Sequence, residues 1–368
     1  MHQSNTPPFG LMALATMART RNLHYSRALY HEPEEKTRGE KRFFSWQSRK
    51  KHGKIKRKRK EGTGMKIAIA GVGGVGGLLA GAMQLAGEEP YFIVRGKNKE
   101  AIQERGLKLV SDTLGQVTVR PQMAQETAVG MGEMDVVFLC TKSYGLDDMC
   151  RICQPLVGRD TLVIPLLNGV AVAQDVRQRL GEKGRVADGC IYCFSALDRP
   201  GVVRHTGQMK KVVFGFPGQE MGEMEKELCH LLEQGGMEVE CTGQVLERVW
   251  EKYHMMCGNS ALFAWFDVSA GGIQQDPEKM AFARKVYEEL VTIAASCGVV
   301  LPDDLVERHL AALRSFLPGT TSSLYRDLKT PGAKTEWEAI VGKAVRLARE
   351  NGVQAPCMTA IYEKYAGR

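Results

Sequence analysis

Short apolar runs alternate with amphipathic stretches from residue 65 to about residue 242. The runs at 66–70, 91–94, 135–140 and 161–166 are rich in Ile, Val, Ala and Phe and read as buried strands. Segments of helical period at 76–86 and 145–156 lie between them. Strand-like runs recur at 185–197, 211–215 and 238–241. A shorter one at 202–206, behind the turn Arg199-Pro200-Gly201, reads as an antiparallel addition at a sheet edge. Strands and helices alternating at this length predict a parallel sheet covered on both faces.

After about Gly243 the period changes. The segments 246–266, 277–297, 303–316 and 335–350 carry apolar residues at helical spacing, with no strand pattern between them. Pro302, Pro318 and Pro356 punctuate them. Two domains are therefore expected, an α/β one at 65–242 and an all-helical one at 243–368, with a ligand cleft between them.

Composition changes this picture only at the amino-terminal end. A chain of 368 residues, 43% hydrophobic and 25% charged, excludes wholesale disorder and fibrous architectures. It holds no run of 18 uncharged apolar residues, so no membrane partner is expected. The net charge of +8 suggests nucleic acid, but the charge is unevenly placed. Residues 1–64 hold 16 Lys and Arg against 5 Asp and Glu, whereas the remainder holds 34 against 37. The core is thus slightly acidic and gives no support for nucleic-acid binding. Residues 49–60 are too self-repelling to fold alone, so 1–64 reads as a basic, disordered extension. Met65 directly precedes the first strand. Lys60-Glu61-Gly62 before it is what a purine-rich ribosome-binding sequence would encode, which suggests a start at Met65.

Ten cysteines without a secretory signal point to a reducing, cytoplasmic setting. Cys150 and Cys153, like Cys190 and Cys193, have Cys-x-x-Cys spacing. The second pair lies on a strand, where positions three apart face opposite sides, which disfavours chelation. They read as core thiols, and no metal is expected.

Gly71-Val72-Gly73-Gly74-Val75-Gly76 follows the first strand and opens a helix. Gly71 permits the tight turn, Gly73 lets backbone approach a pyrophosphate, and Gly76 allows close helix–strand packing, with Gly74 completing the loop. The unpaired N–H groups of the helix N-terminus face the phosphates. The expected fold class is α/β, an N-terminal Rossmann-type dinucleotide-binding domain followed by the all-helical domain. The second strand ends in Val94-Arg95-Gly96-Lys97, with no carboxylate between Tyr91 and Lys99. Arg95 suits a 2′-phosphate and Lys97 adds charge, so NADPH is expected over NADH.

The chain from Met65 onward resembles the ketopantoate reductases (2-dehydropantoate 2-reductases). The resemblance rests on ordered landmarks: the glycine loop with Arg95, Cys140-Thr141-Lys142-Ser143-Tyr144, Leu167-Asn168-Gly169, Trp250-Glu251-Lys252, and Ser322-Ser323 followed by Thr335-Glu336. It implies hydride transfer from NADPH to the keto carbon of 2-dehydropantoate, giving pantoate for coenzyme A synthesis. Lys142 and Asn168 would then contact the cofactor, with Asn168 also near the catalytic lysine. Lys252 would protonate the nascent alkoxide, Glu336 would hydrogen-bond at the site, and Ser323 would hold the substrate carboxylate. A partly desolvated lysine suits this chemistry, because negative charge develops on the carbonyl oxygen during reduction. His205 and His254 are alternative donors; His254 lies about 200° round the helix from Lys252.

The departures concern the substrate. Where the family commonly carries asparagines four and eight residues after the lysine, this chain has Met256 and Ser260; Asn259 is a candidate substitute. Thr320 stands where a further asparagine is usual. A different small 2-keto acid, or a catalytically silent NADPH-binding regulator, are the alternatives, with a homodimer left open.

Overall fold

The computed structural model describes residues 64–181 and 183–367. The expected extension at 1–64 therefore lies outside the described residues, apart from Gly64. In chain order come β1 (Ile67–Ala70), α1 (Gly74–Ala86), β2 (Tyr91–Ile93), α2 (Gly96–Arg105), β3 (Leu107–Ser111), β4 (Gly115–Val119), β5 (Ala124–Gln125) and β6 (Val136–Leu139). Then follow α3 (Leu146–Cys153), β7 (Leu162–Pro165), α4 (Val172–Leu180), β8 (Arg185–Val186), β9 (Asp188–Arg199), β10 (Val202–Gly215), α5 (Glu223–Gln234) and β11 (Glu238–Cys241). The rest is helical: α6 (Val245–Phe266), α7 (Ala270–Gln274), α8 (Pro277–Ser296), α9 (Leu305–Ser315), α10 (Ser323–Lys329), a π-helical turn (Glu338–Gly342), α11 (Lys343–Glu350) and α12 (Pro356–Glu363). No helix among the described residues is long and apolar enough to cross a membrane.

The first sheet is parallel throughout, in the order β5-β2-β1-β6-β7-β8. Every residue of β1, β6 and β7 is buried, as strands covered on both faces require, which is why their sequences are unbroken apolar runs. The strand order reverses between β1 and β6, the place where open α/β sheets open a crevice beyond their carboxyl ends.

A second sheet covers α1. Its long strand β10 pairs antiparallel with β9, while its other edge is shared by β3 along Val202–His205 and β11 along Lys211–Phe214. The run at 202–206 is thus not an edge addition. It is half of a continuous strand in the sheet interior, carried past Gly207 (φ 76°) by a bulge between Thr206 and Lys210. The run at 185–197 also divides, β8 staying in the first sheet and β9 joining the second. Arg177 fixes the crossing by donating to Val186 O at 2.8 Å and Asp188 Oδ2 at 2.9 Å. Helix α1 is consequently sandwiched, with Gly76 through Met83 all buried. A Cβ on Gly77 would lie 2.5 Å from Val203 Cγ2, and one on Gly81 would lie 2.2 Å from Leu109 Cδ2. These two glycines let the second sheet close onto the helix.

From Val245 to Glu363 the secondary structure of the described residues is helical. Helix α6 runs through the middle, with Tyr253, Cys257, Ala261, Leu262 and Phe263 in a core shared with Tyr287, Leu290 and Ile293 of α8. Gly258 permits that crossing, since a Cβ there would meet Tyr287 Cε1 at 2.4 Å. Asp276 caps α8 by accepting from the N–H groups of Glu278 and Lys279, with Pro277 at the first helical position. The helix expected over 335–350 begins later, as the π turn, and the hydroxyl of Tyr253 donates to Ile340 O in that turn at 2.6 Å. This bond ties the residue after Lys252 to the segment that carries Glu336.

Candidate active site

Three loops follow the carboxyl ends of the adjacent strands β1, β6 and β7. The β1 loop behaves as its glycines predict. Gly71 sits at φ 98°, and a Cβ there would lie 2.9 Å from the Cys140 carbonyl. At Gly76 a Cβ would lie 2.2 Å from Gly71 O, so close packing of α1 on its strand excludes any side chain. Gly73 faces open space. At Gly74 a Cβ would meet Ser195 O at 2.2 Å, so packing against β9 demands glycine there as well. The hydroxyl of Ser195 donates to Gly74 O at 2.8 Å.

At the end of β2, Arg95 and Lys97 are exposed. Asn98, which the sequence reading overlooked, links this corner to the glycine loop by donating to Val72 O at 2.8 Å and accepting from Gly201 N at 2.7 Å. A carboxylate does reach the corner, from outside the stretch that lacked one. Glu126, just past β5, accepts from Lys99 Nζ at 2.7 Å, and that bond, with the Gly96 N–H and the lysine charge, holds its pKa below the usual carboxylate value.

The β6 loop supplies Lys142 and the β7 loop supplies Asn168. Each meets a residue of the helical part. Lys142 Nζ donates to Glu336 Oε2 at 2.8 Å, and the Ser143 N–H donates to Glu336 Oε1 at 3.0 Å. Burial pulls the Lys142 pKa down, but the Glu336 carboxylate outweighs it and the net shift is upward. Asp327 of α10, also absent from the sequence reading, adds a second carboxylate 3.9 Å away. Lys252 of α6 is half-buried and donates to Asn168 Oδ1 at 3.0 Å. Gly169 makes this loop possible at φ 135°, a region that excludes ordinary side chains. So four of the expected residues, Lys142, Asn168, Lys252 and Glu336, form two bridges between the sheet's loops and the helical part.

The remaining candidates separate. Ser323 is exposed on α10, one turn before Asp327 and so on the face that approaches Lys142; its neighbour Ser322 caps the helix by accepting from Tyr325 N at 3.0 Å. Asn259 turns inward, its Oδ1 accepting from the Tyr287 hydroxyl at 2.6 Å. Ser260 is 1% exposed and donates to Met256 O at 2.7 Å, so the Ser260 hydroxyl proton and the Asn259 carbonyl oxygen are both engaged within the helical part. His254 is buried against His309 Nδ1 and Tyr287 O, and burial pushes its pKa down to about 4. His205 lies in the second sheet, bonded to Ser111 Oγ and Met209 O. Neither histidine reaches Lys252. The aromatic neighbour that does is Tyr192 of β9, whose ring centroid is 5.8 Å from Lys252 Nζ. Its signal in the sequence was only the period of two along a strand.

All ten cysteines are free thiols. Burial raises the pKa of Cys153 to about 12 and that of Cys193 to about 11, so both stay protonated and behave as packing groups.

Comparison with known proteins adds the family. A model described as ketopantoate reductase PanE/ApbA matches residues 67–219, and its C-terminal counterpart matches 244–367. The chain belongs to the ketopantoate reductase family. It is similar to a 2-dehydropantoate 2-reductase of Pyrococcus horikoshii, 28% identical over 79% of this chain and 93% of that protein. An uncharacterized oxidoreductase, YkpB of Bacillus subtilis strain 168, is 27% identical over 81% of this chain and 97% of its own length. The crystal structure of a PanE/ApbA family ketopantoate reductase from Ralstonia eutropha JMP134 superimposes with a TM-score of 0.73, at 28% identity, over 82% of this chain and 97% of that one. As a member of the ketopantoate reductase family the protein is an oxidoreductase, and its mouth has the features that a nicotinamide dinucleotide needs. Gly73 leaves room for a pyrophosphate, and the N-terminus of α1 carries no acidic side chain and no side-chain cap that would compete for its N–H groups.

Proposed function

We propose that this ketopantoate reductase family member uses NADPH to reduce a small 2-keto acid to the 2-hydroxy acid, and that 2-dehydropantoate is a substrate. Its product would be pantoate, for pantothenate and coenzyme A biosynthesis. The observation that carries this reading is the 3.0 Å bond from Lys252 to the neutral amide of Asn168 at the mouth of the parallel sheet. An amide fixes the ammonium without cancelling its charge. The cation is therefore left to a carbonyl oxygen.

Bound NADPH would supply the hydride that the keto carbon gains. Lys252 stabilises the charge growing on the substrate oxygen and passes it a proton, while Asn168 aims the ammonium. Lys142 and Glu336 hold the two walls together, and the Ser323 hydroxyl takes the substrate carboxylate. In this reading residues 65–242 hold the cofactor through Gly71, Gly73, Gly74, Gly76, Arg95, Lys97, Lys142 and Asn168. Residues 243–368 supply the proton donor and the substrate groups. The preference for NADPH is supported by charge at the β2 corner. Glu126 is matched by Lys99, which leaves Arg95 and Lys97 for a 2′-phosphate. A reducing, cytoplasmic setting is supported by the ten free thiols.

The test is a spectrophotometric assay of the full chain with 2-dehydropantoate, comparing NADPH with NADH. Oxidation of NADPH at least about tenfold more efficient than that of NADH is expected from a charge-assisted phosphate contact. Equal use of the two would overturn the cofactor preference. No turnover of any 2-keto acid with either would overturn the reaction.

A further inference from the structure

Among the described residues the Lys252 ammonium meets two side chains, and neither carries a charge. Asn168 Oδ1 accepts from it at 3.0 Å, and it stands over the ring of Tyr192 with the centroid 5.8 Å away. The carboxylates beside this turn of α6 are engaged elsewhere. Glu251, next to Lys252 in the chain, pairs with Arg248 at 3.5 Å and with Arg308 at 3.0 Å. Glu240 of β11 pairs with Arg248 at 2.7 Å and with Lys211 at 2.6 Å.

The ring is itself held at both ends. The backbone of Tyr192 pairs with Lys211 in the β9–β10 ladder, and its hydroxyl donates to Arg248 O at 3.3 Å. Inside α6 that carbonyl also accepts from the N–H four residues further on, which belongs to Lys252. Tyr192 therefore ties the second sheet to the helical turn whose side chain stands over its face. Both residues are half-buried. The face of an aromatic ring is negative, so it attracts an ammonium without being a base that could take its proton. A carboxylate in the same place would hold the lysine too, but it would cancel the charge that a developing oxyanion needs.

We propose that Tyr192 is a positioning residue for Lys252: its ring face, anchored to the turn below, holds the ammonium where Asn168 aims it and leaves its charge for the substrate oxygen. The proposal rests on the reading of Lys252 as proton donor to a 2-keto acid, and Tyr192 acts through the lysine. It differs from a filler of the seam between β9 and α6 in one respect. A filler needs only bulk, whereas this role needs the electrons of the ring.

The experiment compares the natural full chain with Tyr192→Phe, Tyr192→Leu and a variant carrying a trifluorinated phenylalanine at position 192. Phenylalanine keeps the ring face and loses the hydroxyl; the fluorinated ring keeps the shape and loses most of the negative face. With 2-dehydropantoate and NADPH, Tyr192→Phe is expected to keep kcat within about threefold, and Tyr192→Leu to lose about tenfold. The fluorinated variant should fall below Tyr192→Phe by about threefold or more in kcat, with KM for NADPH unmoved. Equal kcat for the plain and fluorinated rings overturns the proposal, because shape alone then suffices. A Tyr192→Phe variant as slow as Tyr192→Leu also overturns it, by assigning the effect to the hydroxyl. A second measurement does not depend on turnover: reductive methylation of the lysines, read at Lys252 by mass spectrometry. Labelling of Lys252 should be about threefold faster in the fluorinated variant than in Tyr192→Phe, since the weaker face holds the ammonium less. Equal labelling means that no such hold exists, and the proposal falls. If labelling responds to the ring but the natural chain reduces no 2-keto acid, the reading of Lys252 as proton donor fails instead and takes the positioning role with it, so the two failures are distinct.

Discussion

Two bridges join the sheet's mouth to the helical part, and they differ in one respect. Lys142 meets a buried carboxylate, Glu336, whose other oxygen takes the Ser143 N–H. Lys252 meets an amide. The first pair is electrically closed and acts as a clamp. The second keeps a net positive charge, held in place by a partner that cannot neutralise it. A cleft that must stabilise a developing oxyanion needs the second kind, and a cleft made of two separate parts needs the first.

The most severe way to test this contrast is to remove the open charge. Lys252→Ala is expected to lower kcat by roughly a hundredfold to ten-thousandfold, since it deletes both the acid and the electrostatic partner. Thermal stability should change little, as the ammonium is only half-buried. Unchanged turnover with NADPH would end the mechanism. Asn168→Asp comes next: it preserves shape and converts the open bridge into a closed one. The added carboxylate should cost roughly a hundredfold in kcat with a far smaller change in cofactor affinity. A variant as fast as the natural protein would mean that the neutrality of Asn168 has no role.

How far each bridge was legible in the sequence follows from what builds it. The sheet side is made of backbone: a glycine at φ 98°, another at φ 135°, and short loops behind buried apolar strands. Those demands act on single positions and show in the letters, so Gly71, Gly73 and Asn168-Gly169 could be placed by inspection. The helical side is made of side chains brought together by packing. Asp327 reaches Lys142 only because α10 folds against the cleft, and Tyr192 reaches Lys252 only because the second sheet lies against α6. No local pattern announces either. The second sheet itself was half visible, because the bulge past Gly207 disguised one strand of fourteen residues as two. The partners of Ser260 and Asn259 were hidden for the same reason: a hydroxyl turned back to its own helix and an amide oxygen engaged by Tyr287 are tertiary outcomes.

The closed bridge can be opened by Glu336→Gln. The amide can still accept from Ser143 N but no longer pairs with the charge of Lys142. Lys142 is about half-exposed, at 47%, so solvent screens the pair and the loss should be only on the order of 1 kcal/mol, read as roughly 2–4 °C in Tm. The pH dependence has a definite sign. The pKa of Lys142 is raised in the folded protein, so the pair's contribution is complete below the ordinary lysine value of 10.5 and is lost as pH rises through the folded value. The Tm gap between the natural protein and the variant should therefore hold constant from about pH 7 to about pH 10 and narrow above that. Substrate KM should rise more than kcat falls. The reverse pattern would place Glu336 in the chemistry and erase the distinction between the bridges.

The smallest effect lies farthest from both bridges, at the β2 corner. Arg95 is exposed and helps to complete no buried network, so Arg95→Ala should leave Tm and kcat at saturating NADPH unaltered. Its expected consequence is a rise of about tenfold in KM for NADPH, with KM for NADH almost unmoved, because only the former carries the 2′-phosphate. The difference should shrink as ionic strength rises, since an exposed guanidinium and a phosphate are screened by salt in a way that the half-buried Lys252 is not. If Arg95→Ala weakens both cofactors equally, the residue serves the shared pyrophosphate or the loop geometry. The charge that selects between nicotinamides would then have to come from Lys97 alone.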